Sequence, residues 1–258
     1  MNQIETKMGN LRLYGMSRTW EALKETRRLH ELNLQEGMEI LLQAEEEERT
    51  NRRFKRLSAN AGFRYKASIE ELKLDPSRGV DKNLITTLAT GEYIAQGTAV
   101  LVSGSTGCGK SFLSSALGHQ ACLQGYKVAY FNTQKLMLKA KLVRLEGSSI
   151  RFFDKLAKAD LLILDDFGLT HLDKQQEMDF MEMIEDRHGK CSTIIVSQLP
   201  VASWYDVFTE ETIADYHNFF IMRILCEVIY RYHLLDNYLC LDLPQDSSHN
   251  LYSFGEFF

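Results

Sequence analysis

The residues of this chain richest in potential chemistry are Gly104-Ser105-Thr106-Gly107-Cys108-Gly109-Lys110-Ser111. Gly104, Gly109, Lys110 and Ser111 fit the pattern G-x-x-x-x-G-K-[ST] at the correct spacing. Glycines in such a loop let the backbone wrap closely enough for its N–H groups, from Gly104 through to Phe112, to point at phosphate oxygens. Lys110 would neutralise charge on the β- and γ-phosphates of ATP, and the Ser111 hydroxyl would be a ligand of Mg2+. The competing reading is a turn with a surface lysine. An apolar run before the loop and a helical pattern after it favour the phosphate site, because a strand, this loop and a helix are what the mechanism requires.

A phosphate cradle needs a carboxylate for the metal on a neighbouring strand. Leu161-Leu162-Ile163-Leu164-Asp165-Asp166 supplies one: four apolar residues bury the strand and Asp165 emerges at its C-terminal edge, where open α/β sheets place ligands. Asp165 would hold Mg2+ through water, and Asp166 would accept a proton from the attacking water or orient it. Taken alone, an apolar run ending in two aspartates also suits a strand entering a turn; its place downstream of the phosphate loop makes it a site. A third run, Ser192 to Gln198, ends in Ser197 and Gln198, which would either place a water near the γ-phosphate or simply lead into a loop.

The elements needed to position these residues are legible in the periodicity. Trp20, Leu23, Leu29, Leu32, Leu34, Met38, Leu41 and Leu42 recur at helical spacing without proline, which predicts a small all-helical N-terminal domain over residues 1–58. Residues 59–80, with Pro76 and Gly79, read as a linker. From 81 to 215 short apolar runs alternate with helical stretches, including one from Lys174 to His188. This is the signature of an α/β fold with a parallel sheet between helices. Residues 216–258 are set apart as a tail, aromatic and acid-tinged from about Tyr232.

Composition narrows the classes. A chain of 258 residues that is 45% hydrophobic and 25% charged can bury one full core and a smaller appended domain. No apolar run approaches the roughly 20 residues of a membrane span and the N-terminus lacks a signal peptide's apolar stretch, so a cytoplasmic protein without a membrane partner is expected. Five cysteines without C-x-x-C spacing and seven dispersed histidines suggest neither a disulfide framework nor a zinc site. Trp20 and Trp204 read as packing anchors, and Met178, Met181 and Met183 as core or subunit-contact residues. The net charge is −5, yet Arg49, Arg52, Arg53, Lys55 and Arg56 follow four consecutive glutamates, with Arg64 and Lys66 beyond. That run is either a solvated helix laced with Glu-to-Arg pairs four residues apart or a basic face offered to nucleic-acid phosphates.

The loop at Gly104–Ser111, "LLILDDFG", "EDRHGKCSTIIVSQLP", Trp204, "TIAD" ending at Asp215, and the N-terminal "LRLYGM", "AEEEERTNRRFKRL", "FRYKASIEEL" and "RGVDKNLITTLATGEYI" together resemble the IstB-like ATP-binding proteins. These are AAA+ P-loop ATPases related to bacterial helicase loaders. The likeness runs from about Leu11 to Asp215. It implies ATP binding and hydrolysis, ATP-dependent homo-oligomers on duplex DNA, and recruitment of a separate transposase during insertion-sequence transposition. Lys110 and Ser111 match the Walker A positions, Asp165 and Asp166 the Walker B positions, and Gln198, with Ser197 beside it, the sensor. Arg223, then Arg231, match an arginine serving a neighbouring subunit's nucleotide, with Arg187 next in line. The acidic partner before Arg223 and the family's lysine-rich end are missing, so the tail is either divergent or shifted in reading frame near Asp215. Three functions stay open: the DNA-bound transposition helper or a related replication ATPase of the helicase-loader kind; a small-molecule kinase, against which the lack of an arginine-rich lid between Asp166 and Ser197 counts; and an adaptor that senses ATP without turnover.

Overall fold

The structure, a computed structural model, describes residues 3–73, 81–200, 203–204, 207 and 240–243, the last four by backbone alone. Three helices open the chain: α1 (Gln3–Asn10), α2 (Tyr14–Glu25) and the 28-residue α3 (Leu34–Ala61). Asn33 starts α3 with a capping box, its side chain accepting from the Glu36 N–H while the Glu36 carboxylate accepts from the Asn33 N–H. Gly62, at φ 77°, ends it.

The α/β part follows with α4 (Lys82–Ala89), α5 (Glu92–Ala95), β1 (Val100–Gly104), α6 (Lys110–Leu123), β2 (Val128–Asn132), α7 (Thr133–Leu145), α8 (Ser149–Ala157), β3 (Leu161–Phe167), α9 (Lys174–Arg187) and β4 (Ser192–Ser197). A further strand, β5 (Cys240–Leu243), pairs with β1, so the late part of the chain also supplies sheet. All pairings are parallel, in the order β2-β3-β4-β1-β5. The strands are nearly continuous apolar runs because both faces are covered. On one face Val100, Val102, Leu161, Ile163, Ile194 and Val196 meet α4, α5 and α6; on the other Leu101, Leu162, Leu164 and Ile195 meet α7, α8, α9, Trp204 and Val207.

Residues 59–73, read from the sequence as linker, are part of this body. Phe54, Leu57, Phe63, Ile69 and Leu72 pack against the first apolar layer, and the Phe63 ring lies 4.1 Å from that of His119 on α6. Pro76 and Gly79 lie outside the described residues. The hydrophobic spacing within 59–73 is too irregular to announce a packed segment, since its apolar side chains come from a helix end, an extended stretch and a single 3-10 turn at Ile69–Glu71.

Candidate nucleotide-binding site

β1 delivers its C-terminal end to a loop that turns straight into α6, with Lys110 as the first helical residue. Gly107 and Gly109 sit at φ 82° and 97°, a left-handed backbone that glycine adopts without penalty and that a tightly wrapped phosphate loop needs. Lys110 is nearly buried, and its ammonium donates to the carbonyls of Gly104 and Ser105, each at 2.7 Å, and reaches Cys108 Sγ at 3.6 Å. The loop thereby holds its own cation at the mouth of a cavity of about 370 Å3, lined among others by Thr106, Gly107, Gly109, Lys110, Ser111 and Phe112.

Asp165 and Asp166 face the loop from the end of β3. Asp165 is buried, and both of its oxygens are engaged: Oδ1 accepts from Ser111 Oγ at 3.0 Å and from the Asp166 N–H at 2.9 Å, while Oδ2 accepts from the Tyr130 hydroxyl. Burial first, and then the Asp165 carboxylate that takes its proton in a hydrogen bond, push the Tyr130 phenol well above its ordinary pKa, so it stays a donor. Asp166 sits at φ 58°, unusual for a residue with a side chain, where the β3–β4 register slips between Leu164 and Phe167. The bulge swings its carboxylate out of the strand alternation and into the cavity, where Oδ2 accepts from Asn132 Nδ2 at 2.8 Å and Arg64 Nη1 at 3.0 Å. Arg64 also lies 3.5 Å from Asp165 Oδ2. Burial opposes the charge on this guanidinium, but the neighbouring Tyr65, Asp166 and Asp165 outweigh it and raise its pKa.

On the far side of the cavity Gln198 Oε1 accepts from Thr106 Oγ1 at 2.6 Å. Ser197 is fully buried, with its hydroxyl donating to the Phe167 carbonyl at 2.8 Å and accepting from the Leu199 N–H at 3.0 Å. Of the two polar residues ending β4, Gln198 has its side chain turned to the phosphate loop while Ser197 ties β4 to β3.

The structure therefore brings Thr106, Gly107, Gly109, Lys110, Ser111, Phe112, Asp166 and Gln198 around one cavity, with Asp165 buried behind Ser111 and hydrogen-bonded to it, and Gly104, Ser105 and Cys108 completing the loop. Arg223 and Arg231 lie outside the described residues. Arg187 is not free to serve a neighbouring subunit: it is 1% exposed, and its guanidinium donates to the carbonyls of Leu156, Ala159 and Ser192 and to Thr193 Oγ1. The sequence reading missed Tyr130, Asn132 and Arg64. Asn132 carried a usable signal, an N-cap residue at the end of a strand, and its Oδ1 does cap α7 while its amide reaches Asp166.

The donor set suits a divalent cation of the magnesium type: one hydroxyl and one carboxylate, 3.0 Å apart, beside a loop shaped for phosphates. Among the described residues no group of three or more His, Cys, Asp or Glu side chains is placed to hold a metal. Nucleotide oxygens and waters would have to complete the coordination, as is usual where magnesium travels with a phosphate substrate. Among those residues no helix is long and apolar enough to cross a membrane.

The basic run resolves into two groups. Arg49 pairs with Glu45 at 2.8 Å, Arg52 with Glu45 and Glu48 at 3.6 and 3.7 Å, and Arg53 donates to the Gly125 carbonyl at 2.7 Å. Lys55, Arg56 and Lys66 have no carboxylate within 4.0 Å among the described residues.

Comparison with known proteins agrees with this geometry. The family model of the IstB-like ATP-binding proteins matches residues 6–226. The insertion sequence IS1162 ATP-binding protein of Pseudomonas fluorescens is 40% identical over 196 residues, 76% of this chain and 85% of that protein. The insertion sequence ATP-binding protein y4pL of Sinorhizobium fredii is 33% identical over 230 residues, 89% of this chain and 91% of its own length. Among solved structures, AMPPCP-bound DnaA of Aquifex aeolicus superposes with a TM-score of 0.57 at 16% identity, over 72% of this chain and 52% of that one. DnaI does so with a TM-score of 0.53 at 16% identity, over 74% and 94%. These two likenesses concern the fold, that of AAA+ P-loop ATPases.

Proposed function

The chain belongs to the IstB-like ATP-binding proteins, and from that premise we propose that it hydrolyses ATP, assembles with copies of itself on duplex DNA in the cytoplasm, and there serves a transposase during insertion-sequence transposition. The observation that carries the enzymatic half is the convergence of Lys110, Ser111 and Asp166 on one cavity, with Asp165 hydrogen-bonded to Ser111 at its edge. Lys110 would exchange the loop carbonyls for the β- and γ-phosphates, gaining charge-assisted hydrogen bonds. Ser111 and Asp165 would hold magnesium, which supplies charge neutralisation at the phosphates. Asp166, with Oδ2 held by Asn132, would use its remaining oxygen on the attacking water, and Gln198, held by Thr106, would orient that water.

The DNA half rests on Lys55, Arg56 and Lys66, the members of the basic run that no described acid engages, and on the names of the insertion-sequence relatives. Contacts of this type are to phosphates, so affinity should fall steeply with salt and show little sequence preference. An arginine from a neighbouring copy, Arg223 first, would stabilise charge on the γ-phosphate.

ATP turnover measured with and without duplex DNA tests the reading. The parent should be stimulated by DNA, Lys110→Ala should lose ATP binding, and Asp166→Asn should bind ATP but turn it over at least about tenfold more slowly. Parent-like turnover by Asp166→Asn would remove its assigned role, and a protein that stays monomeric with ATP and DNA would refute the assembly.

A further inference from the structure

Arg64 reaches the site from outside both the phosphate loop and the carboxylate strand. It comes from outside the sheet, two positions beyond Gly62, the residue that ends α3. Its Nη1 lies 3.0 Å from Asp166 Oδ2 and 3.5 Å from Asp165 Oδ2, and it lines the cavity together with Lys110 and Ser111. Its backbone is set by Phe63 on one side, seated against the rings of His119 and Tyr130, and by Tyr65 on the other, whose ring lies 6.2 Å from Phe112 beside the loop serine. The side chain is about half exposed, 49%, with its guanidinium 5.5 Å from the centre of the Tyr65 ring, so solvent can reach the ion pair.

A guanidinium on this carboxylate pair opposes a divalent cation beside it by charge: Arg64 lies at Oδ2 of Asp165 and of Asp166, while Ser111 meets Asp165 at Oδ1. The cation needs the Asp165 side chain with Ser111, and its double positive charge would stand beside a cation already paired with Asp165 and Asp166. We propose, on the premise that this is an ATP site, that Arg64 is a positioning residue that competes with magnesium for the Asp165–Asp166 pair, so that the end of α3 governs loading of the metal. In its seated position Arg64 steadies Asp166 and withholds the pair from the cation. When α3 shifts, the segment Gly62-Phe63-Arg64 carries the guanidinium away and the pair becomes available. The helix that ends there bears Lys55 and Arg56, two of the basic residues without a carboxylate partner among the described residues, which gives DNA phosphates a handle on the metal site, Arg56 lying 8 residues before Arg64.

The test measures how much magnesium is needed for half-maximal binding of a fluorescent ATP analogue by the parent and by Arg64→Ala. A half-exposed ion pair is worth about 0.2–1 kcal/mol, so Arg64→Ala should lower that concentration by up to about fivefold and raise turnover without DNA by a similar factor. Phe63→Ala, which loosens the seat and leaves Arg64 in place, should move both in the same direction. Duplex DNA should lower the parent's magnesium requirement and leave that of Arg64→Ala where it is. An unchanged requirement in Arg64→Ala overturns the competition; so does a turnover cut tenfold or more at saturating magnesium, which would make Arg64 a phosphate ligand. An equal shift by DNA in both proteins overturns the link to α3. Failure of the parent to bind the analogue at all would refute the ATP site itself, and the competition with it.

Discussion

The sheet and the N-terminal helices are closed by different forces. At the centre of the sheet Val100, Val102, Leu161, Leu162, Ile163, Leu164 and Ile194 are completely buried, and beside it the buried Arg187, at the end of α9, is hydrogen-bonded to neutral acceptors. Among the N-terminal helices the apolar plug is only Met8, Met16 and Leu41, flanked by Leu13 and Trp20. What completes it is a carboxylate: Glu45, 7% exposed, crosses from α3 to the first turn of α2, where it accepts from the N–H of Gly15 at 2.8 Å and of Met16 at 3.4 Å while Arg49 pairs with it at 2.8 Å. An anion at a helix N-terminus satisfies donors that have no partner within the helix. The contrast teaches that the central layer of the sheet is held by apolar burial and hydrogen bonds to neutral groups, whereas the helices bearing the basic face depend on one ionised group.

Removing Arg187 should break the first half of that contrast with the largest effect. Its guanidinium joins the end of α8 to β4, and Arg187→Met would leave the carbonyls of Leu156, Ala159 and Ser192 without their donor. Roughly 3 kcal/mol of global stability should be lost, read as a lower denaturant midpoint with the sheet and the nucleotide site failing together. A parent-like midpoint would mean that the α8–β4 junction is secured by packing alone.

Gly15→Ala should sharpen the other half. The added methyl would lie 2.2 Å from the Ala44 carbonyl oxygen, so α2 and α3 would have to part. The cost, about 1–3 kcal/mol, should fall on the N-terminal helices only. Amide hydrogen exchange should rise across α1, α2 and the first half of α3 and stay unchanged in β1, β3 and β4; a uniform rise would show that the two regions unfold as one.

The legible parts of this molecule were those governed by local rules. A loop of fixed spacing between a strand and a helix, or an apolar run ending in two aspartates, can be recognised from neighbours in the chain, and the parallel sheet follows from such runs. Arg64 could not be placed that way, because its partner Asp166 lies 102 positions away and the bulge that turns Asp166 toward it leaves no sequence signature. Glu45 was visible as the first half of a helical pair with Arg49, and that pair exists; its second function, as cap for a different helix, depends on how α2 and α3 cross. Arg187 shows the reverse error. It stood next in line after Arg223 and Arg231 for the arginine serving a neighbouring subunit, whereas the fold buries it against carbonyl groups whose positions only the tertiary structure defines.

The smallest effect expected is a pH dependence confined to the N-terminal helices. Burial alone would raise the pKa of Glu45, but the hydrogen bond from Arg49, the N–H groups of Gly15 and Met16 and the charge of Arg49 outweigh it, and the folded-state value falls below the ordinary 4.5. A carboxylate whose pKa is depressed by folding contributes stability that is fully present above its unfolded value and is lost as pH falls through the folded one. The N-terminal helices should therefore keep their stability down to about pH 4.5 and lose it below, by about 1 kcal/mol, the usual worth of a helix N-cap. The chain's two tryptophans separate the regions, since Trp20 packs with the N-terminal plug and Trp204 against Phe167 by the sheet. In a Trp204→Phe background, Trp20 fluorescence should report denaturant unfolding that shifts to lower concentration below pH 4.5. Glu45→Gln, which retains an acceptor for Gly15 but has no proton to gain, should flatten that shift. If the shift persists in Glu45→Gln, another carboxylate governs it and Glu45 is only a spacer between the helices.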